Sequence, residues 1–222
     1  MELYTAIVLA SGDGTRFGDK PKQFAMFLDK PLLLHSIDVF LSDENCDNVI
    51  LALSEKLLPI WKDIVAKNSK YSVVHITIGG DTRFMSVKNS IALDINTEYV
   101  AVHDAARPII TKPWLKDVFS HAVKNKSAVP VVDLVYSIRA VKNNTSEAVN
   151  RSDYKIVQTP QFFQTSILKN AYQQPYSEKF TDDASVVENA GYSVSLCEGL
   201  NRNIKITYPY DIEIAEAISN YQ

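Results

Sequence analysis

Positively charged residues beside glycine-rich turns carry most of the chemistry legible in this chain. Arg16 and Lys22 flank the segment Gly18-Asp19-Lys20-Pro21, in a loop that also contains Gly12 and Gly14. The chain has only seven glycines, so three in one loop and two more at Gly79-Gly80 are a concentration that calls for a cause. Glycine tolerates positive φ and lets backbone N–H groups approach a ligand closely, which suits a phosphate cradle, and Arg16 and Lys22 would supply its cations. Phe17 stands where a dinucleotide fingerprint requires glycine, and there is no Walker A pattern. On the loop alone, a cradle and a plain turn with solvated charges carry equal weight.

Three further segments could work with that loop. Gly79-Gly80-Asp81-Thr82 ends one predicted strand and opens a helix that contains Ser86. Such a start attracts anions and lets backbone groups reach a base edge, although Asp81 or Thr82 equally suits an N-cap. His103-Asp104-Ala105-Ala106-Arg107-Pro108 follows a strand, so a carboxylate and a guanidinium project from its end. Asp104 could hold Mg²⁺ shared with phosphates and Arg107 could grip a phosphate; the plainer alternative is an Asp104–Arg107 salt bridge. Lys205 sits between Ile204 and Ile206 in an alternating pattern, which sends its side chain away from theirs, into water or into a site. His103 reads as a satisfied histidine at a strand end, and His35, His75 and His121 as structural.

The elements that must position these residues follow from the apolar pattern. Short apolar runs at Thr5–Leu9, Val49–Leu53, Val73–Ile78, Tyr99–His103 and Ala128–Val132 alternate with helical stretches at 55–68, 82–93 and 114–123. That rhythm predicts one α/β domain over 1–222 with a Rossmann-like, mostly parallel sheet and helices on both faces. Ligands then bind beyond the carboxyl ends of the strands, where the loops after Leu9, Ile78, His103 and Val132 should converge. The rhythm breaks over 134–157, where 136–141 and 154–157 read as two β pieces around the polar turn 142–146, a protruding hairpin suited to dimerisation. Helices are expected at 165–172, 182–189 and 210–218, with a strand near 193–196.

Composition narrows the function further. With 23 Lys+Arg against 26 Asp+Glu, the formal charge of −3 lacks the basic excess of a nucleic-acid binder. No stretch approaches the ~18 apolar residues of a membrane span, and Met1-Glu2-Leu3-Tyr4 enters a strand-like run without a signal-peptide pattern, so no membrane partner and a cytoplasmic location are expected. Cys46 and Cys197 are far apart, without paired ligand spacing, and read as buried free thiols.

Taken in order, Pro21-Lys22-Gln23, Gly79-Gly80-Asp81-Thr82-Arg83, Val102-His103-Asp104-Ala105-Ala106-Arg107-Pro108, Gln158-Thr159-Pro160-Gln161, Thr181-Asp182-Asp183-Ala184-Ser185 and Asn203-Ile204-Lys205-Ile206-Thr207 closely resemble the 2-C-methyl-D-erythritol 4-phosphate cytidylyltransferases of isoprenoid synthesis. The resemblance runs from Ala6 to Glu216. It implies an enzyme that joins CTP to the sugar-alcohol phosphate, with Mg²⁺, as a homodimer. Arg16 and Lys22 would stabilise the transition state. Ala10, Ser11, Gly12, Asp13, Gly14, Gly79, Gly80, Asp81, Ser86 and Ala105 would bind CTP. Lys205 and Arg107 would grip the sugar phosphate, with Asp104, Thr159 and Thr181 around it and Asp104 the candidate metal ligand. Arg151, on the arm, would reach into the neighbouring subunit's site.

The chain departs from that family at Ser11, usually alanine, in a short stretch between Arg16 and Pro21, and at Leu134, usually threonine. These departures bear on sugar-phosphate specificity. A ribitol 5-phosphate cytidylyltransferase is the alternative on the same fold. A nicotinamide-dependent dehydrogenase would need the missing fingerprint and an acidic end to the second strand, for which Ser54-Glu55 is a feeble substitute; a noncatalytic nucleotide-binding module leaves Arg16, Lys22 and Lys205 without a purpose.

Overall fold

The computed structural model describes residues 2–12, 14, 17–18 and 21–220. Its centre is β1 (Tyr4–Ala10), which pairs in parallel with β4 (Cys46–Leu53) on one edge and β6 (Tyr99–Asp104) on the other. A small antiparallel ribbon, β2 (Met26–Phe27) with β3 (Lys30–Pro31), leads into α1 (Leu32–Leu41). Beyond β4 come α2 (Leu58–Lys67), β5 (His75–Ile78), which extends the sheet in parallel, and α3 (Arg83–Ile91). After β6, α4 (Lys112–Asn125) returns the chain to β7 (Ser127–Asp133).

The absence of alternation in the first strand has a direct explanation in packing. Ala6 and Val8 face a core that includes Leu33, Ile37 and Phe40 of α1 and Leu115, Val118 and Phe119 of α4. Ile7 faces the opposite core with Phe84, Val87 and Ile91 of α3. A strand covered on both sides has no polar face to present. The two-sided α/β architecture expected from the sequence is therefore present.

Several elements differ from expectation. The arm is a hairpin of β8 (Arg139–Lys142) with β9 (Thr145–Ala148), not of 136–141 with 154–157. Asn143 and Asn144 both adopt left-handed φ, 48° and 62°, and so close a two-residue turn that starts the return strand at Thr145. The segment 155–157 instead forms β10 (Lys155–Val157) against β7. After a break at 158–160 the chain enters β11 (Gln161–Gln164), which the sequence reading missed and which lies antiparallel between β7 and β6. α5 (Thr165–Ala171) and α6 (Asp183–Asn189) match expectation. β12 (Leu196–Glu198) begins where the expected strand at 193–196 ends, and runs parallel to β7 on the edge opposite β10, since Val131 pairs with both Val157 and Glu198. The closing helix is α7 (Asp211–Asn220). Residues 201–207 form no strand; Lys205 is held above the cleft because Ile206 is buried and its N–H donates to Ala106 O at 2.9 Å.

Candidate active site

Register fixes where the loops emerge. Leu53 pairs with both Ala10 and Ile78, and Leu9 pairs with Asp104, so β1, β4, β5 and β6 end almost level. Their loops enclose a cleft of about 670 Å³. The loop after β4, with Ser54, Glu55 and Lys56, joins this convergence although the sequence reading passed over it. The loop after β7 does not. Antiparallel β11 separates β7 from β6, and Asp133 and Leu134 open instead onto a separate groove with Val135, Arg151 and Tyr154.

The first wall is the glycine loop. Gly14 and Gly18 have φ of 61° and 104°, conformations that L side chains rarely adopt. Buried Gln23 ties the loop down by donating from Nε2 to Ala10 O at 2.6 Å and to Gly12 O at 3.3 Å. Lys22 lies in the short 3₁₀ turn Lys22–Phe24, and its Nζ donates to Ile206 O at 2.8 Å. Ala10, Ser11, Gly12, Gly14 and Lys22 all line the cleft. Arg16 and Asp13 lie outside the described residues.

Gly79 and Gly80 form the second wall, and close approach accounts for both. A Cβ on Gly79 would sit 2.2 Å from Ser11 Cβ, and one on Gly80 2.3 Å from Met85 Cβ. Ser86 Oγ lies 2.8 Å from Ser11 Oγ and accepts from Gly80 N at 3.1 Å. Thr82 caps α3 by accepting from Met85 N, which leaves Asp81 exposed on the rim.

At the end of β6 the charges are organised around Asp104. Lys205 Nζ is 2.6 Å from Asp104 Oδ2 and Arg83 Nε 3.4 Å from Oδ1. Burial alone would raise the Asp104 carboxyl, but the charges of Arg83 and Lys205 together outweigh it and hold the group well below the usual carboxylate range. Arg83 is in turn fixed by fully buried Asp183 at 2.5 Å, which also accepts from Tyr172 Oη at 2.7 Å. Arg83, Asp183 and Tyr172 were given no role from sequence. The one available signal was that Arg83 and Asp183 belong to two of the motifs quoted above.

The remaining expected residues are dispersed around this cleft. Ala105 lines it beside Asp104. The salt bridge between Asp104 and Arg107 is not formed; Arg107 donates to Asn203 O at 2.7 Å and Val157 O at 3.3 Å, and so joins the Lys205 segment to β10. Thr159 is buried below Asp104, whose backbone N–H it accepts at 3.0 Å. Thr181 is exposed at the entry to α6, where its N–H donates to Ser185 Oγ while Asp182 forms a capping box with Ser185. Arg151 is exposed in the groove at the base of the arm and donates to Val135 O. His103 is fully buried among Ser36, Arg107 O and Thr159, and burial pushes its imidazole down to about 4, as expected of a structural residue. Cys46 and Cys197 are free thiols, pushed up by burial to about 12 and about 11.

No group of three or more His, Cys, Asp or Glu suited to a metal occurs among the described residues. Asp104 on the cleft wall offers hard carboxylate oxygens of the kind Mg²⁺ takes, an ion that usually binds one or two carboxylates and keeps water among its other ligands, although Lys205 Nζ occupies Oδ2 in this structure. No helix among the described residues is long and apolar enough to cross a membrane.

Residues 4–220 match the family model for IspD, 2-C-methyl-D-erythritol 4-phosphate cytidylyltransferase. The 2-C-methyl-D-erythritol 4-phosphate cytidylyltransferase of Bacteroides thetaiotaomicron is 42% identical over 216 residues, covering 96% of this chain and 98% of that protein. That of Bacteroides fragilis is 40% identical over 216 residues with the same coverage. Among solved structures, the enzyme of that name from Thermus thermophilus aligns with a TM-score of 0.77 at 28% identity, over 99% of this chain and 100% of that one. The Francisella tularensis enzyme aligns at 0.82 and 25% identity, over 98% and 100%. With the level strand ends, the paired glycine walls and the lysine-flanked carboxylate already in place, these matches lead to one conclusion: the chain belongs to the 2-C-methyl-D-erythritol 4-phosphate cytidylyltransferase family.

Proposed function

We propose that this protein transfers the cytidylyl group of CTP to 2-C-methyl-D-erythritol 4-phosphate, releasing pyrophosphate and forming the CDP-linked methylerythritol. The observation that carries the reading is the meeting of Lys22 and the Lys205 segment at one cleft beside an ionised Asp104. The acceptor is a phosphate monoester with a second pKa of about 6, so near neutral pH it is already a competent nucleophile and needs no general base. The obstacle is repulsion between it and the triphosphate, and fixed cations remove that obstacle.

Position and family membership support the following roles for the described residues, and family membership alone supports those of Asp13 and Arg16. Gly12, Asp13 and Gly14 hold the triphosphate. Arg16 and Lys22 stabilise the α-phosphate as its geometry changes and the pyrophosphate as it leaves. Ala10, Ser11, Gly79, Gly80, Asp81, Ser86 and Ala105 enclose the nucleoside. Lys205 turns from Asp104 to the acceptor's phosphate, with Arg107 fixing the backbone that carries Lys205. Asp104 and Thr181 serve the acceptor's hydroxyls, while buried Thr159 holds the Asp104 backbone in place. Asp104 would help hold a Mg²⁺ ion carried in on CTP, which would supply charge neutralisation. Arg151 lies in its own chain's groove outside the cleft, which supports a homodimer in which the arm completes the neighbour's site.

The test is pyrophosphate release with CTP and Mg²⁺ and each of several sugar-alcohol phosphates. Turnover with methylerythritol phosphate, and preference for CTP over other nucleotides, is expected. Release with ribitol 5-phosphate alone would overturn the acceptor assignment, and release with none would overturn the activity.

A further inference from the structure

Ser54 leaves β4 and enters the cleft wall beside Glu55 and Lys56. Its Oγ is buried and has no hydrogen-bond partner among the described residues. The residue precedes the 3₁₀ turn Glu55–Leu57, yet its side chain does not cap that turn, which is the ordinary use of serine there. Among the described residues two other buried side-chain atoms lack partners, Arg107 Nε and Asn203 Oδ1, but neither residue lines the cleft. Buried hydroxyls are seldom left unpaired, because nothing then offsets their lost hydration.

Register gives the direction from which a partner would come. Leu53 is paired with Ala10 and Ile78, and its carbonyl accepts from Gly79 N at 3.0 Å, so Ser54 emerges between Ser11 and Gly79. Among those neighbours, Ser11 Oγ is already paired with Ser86 Oγ and Gly79 N with Leu53 O. Asp104 and Lys205 lie on the other side of β1, at the end of β6. The unspent hydroxyl therefore belongs to the end of the cleft assigned above to the nucleoside.

We propose that Ser54 is a nucleoside-contacting residue whose hydroxyl, closed off from solvent in the empty protein, turns about χ1 into the cleft and hydrogen-bonds a ribose hydroxyl or the base edge of the bound nucleotide. The proposal rests on the nucleotide reading of the cleft. It has an unusual signature, since removing an unpaired hydroxyl should stabilise the empty protein and weaken the loaded one. For Ser54→Ala, the melting temperature without nucleotide should rise by about 2–4 °C, while KM for CTP rises about 3- to 10-fold with kcat and the acceptor KM held within about 2-fold. Comparing CTP with 2′-deoxy-CTP and 3′-deoxy-CTP separates the two contacts. A ribose contact makes the penalty of one deoxy nucleotide vanish in Ser54→Ala, whereas a base contact leaves both penalties intact and narrows the preference for CTP over UTP; either result supports the assignment. An unchanged KM for CTP, or a lower melting temperature without nucleotide, would overturn it. Wild-type protein that fails to turn over CTP at all would instead remove the nucleotide reading on which it stands.

Discussion

Lys22 Nζ donates a 2.8 Å hydrogen bond to the carbonyl of Ile206, 184 positions along the chain, immediately beside the residue whose ammonium grips Asp104. Two cations from opposite ends of the sequence thus share one wall of the cleft. Two unit negative charges at 4 Å repel by about 4 kcal/mol at an effective dielectric constant near 20, and phosphates brought within reaction distance carry more than one charge each. Positive groups already gathered at the cleft before substrate arrives offset that repulsion, with Lys205 exchanging Asp104 for the acceptor's phosphate.

Removing either lysine should therefore leave a folded but crippled enzyme. Lys22→Ala and Lys205→Ala are each expected to lower kcat about 10²- to 10³-fold. Lys205 is exposed and Lys22 only half-buried, so thermal unfolding followed by circular dichroism should stay near wild type. Activity within a few-fold of wild type in either variant would contradict the role given to it.

The Arg83–Asp183 pair should behave in the opposite way, through stability. Asp183 is fully buried, and its removal leaves the Arg83 guanidinium with only the longer contact to Asp104. Asp183→Ala should cost about 3–5 kcal/mol in denaturant unfolding. A loss below about 1 kcal/mol would mean that the pair is solvated.

The pH dependence should separate the substrate from the protein. Without a side-chain base, kcat/KM for the acceptor should rise through about pH 6 and stay flat above it. Stability should follow a different group. His103 is held at about 4 in the fold, below the unfolded value of about 6.5. The unfolded chain then binds a proton that the fold refuses, so the contribution is complete above pH ~6.5 and is lost as pH falls toward 4. Melting temperature and the imidazole ¹⁵N shift, measured over that window, check both halves; a His103 that titrates near 6.5 would contradict the burial argument.

Arg151 gives a prediction about assembly. If it completes the neighbour's site, Arg151→Ala and Lys22→Ala protomers should each be weak alone and recover activity when mixed, because the hybrid dimer contains one site with both residues intact. Activity of the mixture equal to the average of the two separate variants would argue that Arg151 serves its own chain or none.

Much of the fold was legible because β1 and β6 have no polar face, and a run such as Ala6-Ile7-Val8 can only be covered on both sides. β11 was not legible. Gln161 and Gln164 bracket only two phenylalanines, and the strand exists because β6 and β7 supply its partners rather than because of local pattern. The arm was misregistered because the paired left-handed asparagines at 143 and 144 set the turn, which the apolar residues at 154–157 could not reveal. At the site, the glycines and Lys22 announced themselves by spacing. Arg83 did not, since its meaning lies in Asp104 and Asp183, which only folding brings to it.

The most direct test is a crystal structure of the protein with CTP, Mg²⁺ and an unreactive analogue of the acceptor phosphate. Lys22 Nζ should lie within hydrogen-bonding distance of the triphosphate, with Lys205 Nζ released from Asp104 onto the acceptor's phosphate in the same cleft. CTP bound elsewhere, or either ammonium turned away from both anions, would contradict the claim that these lysines bring the two reactants together.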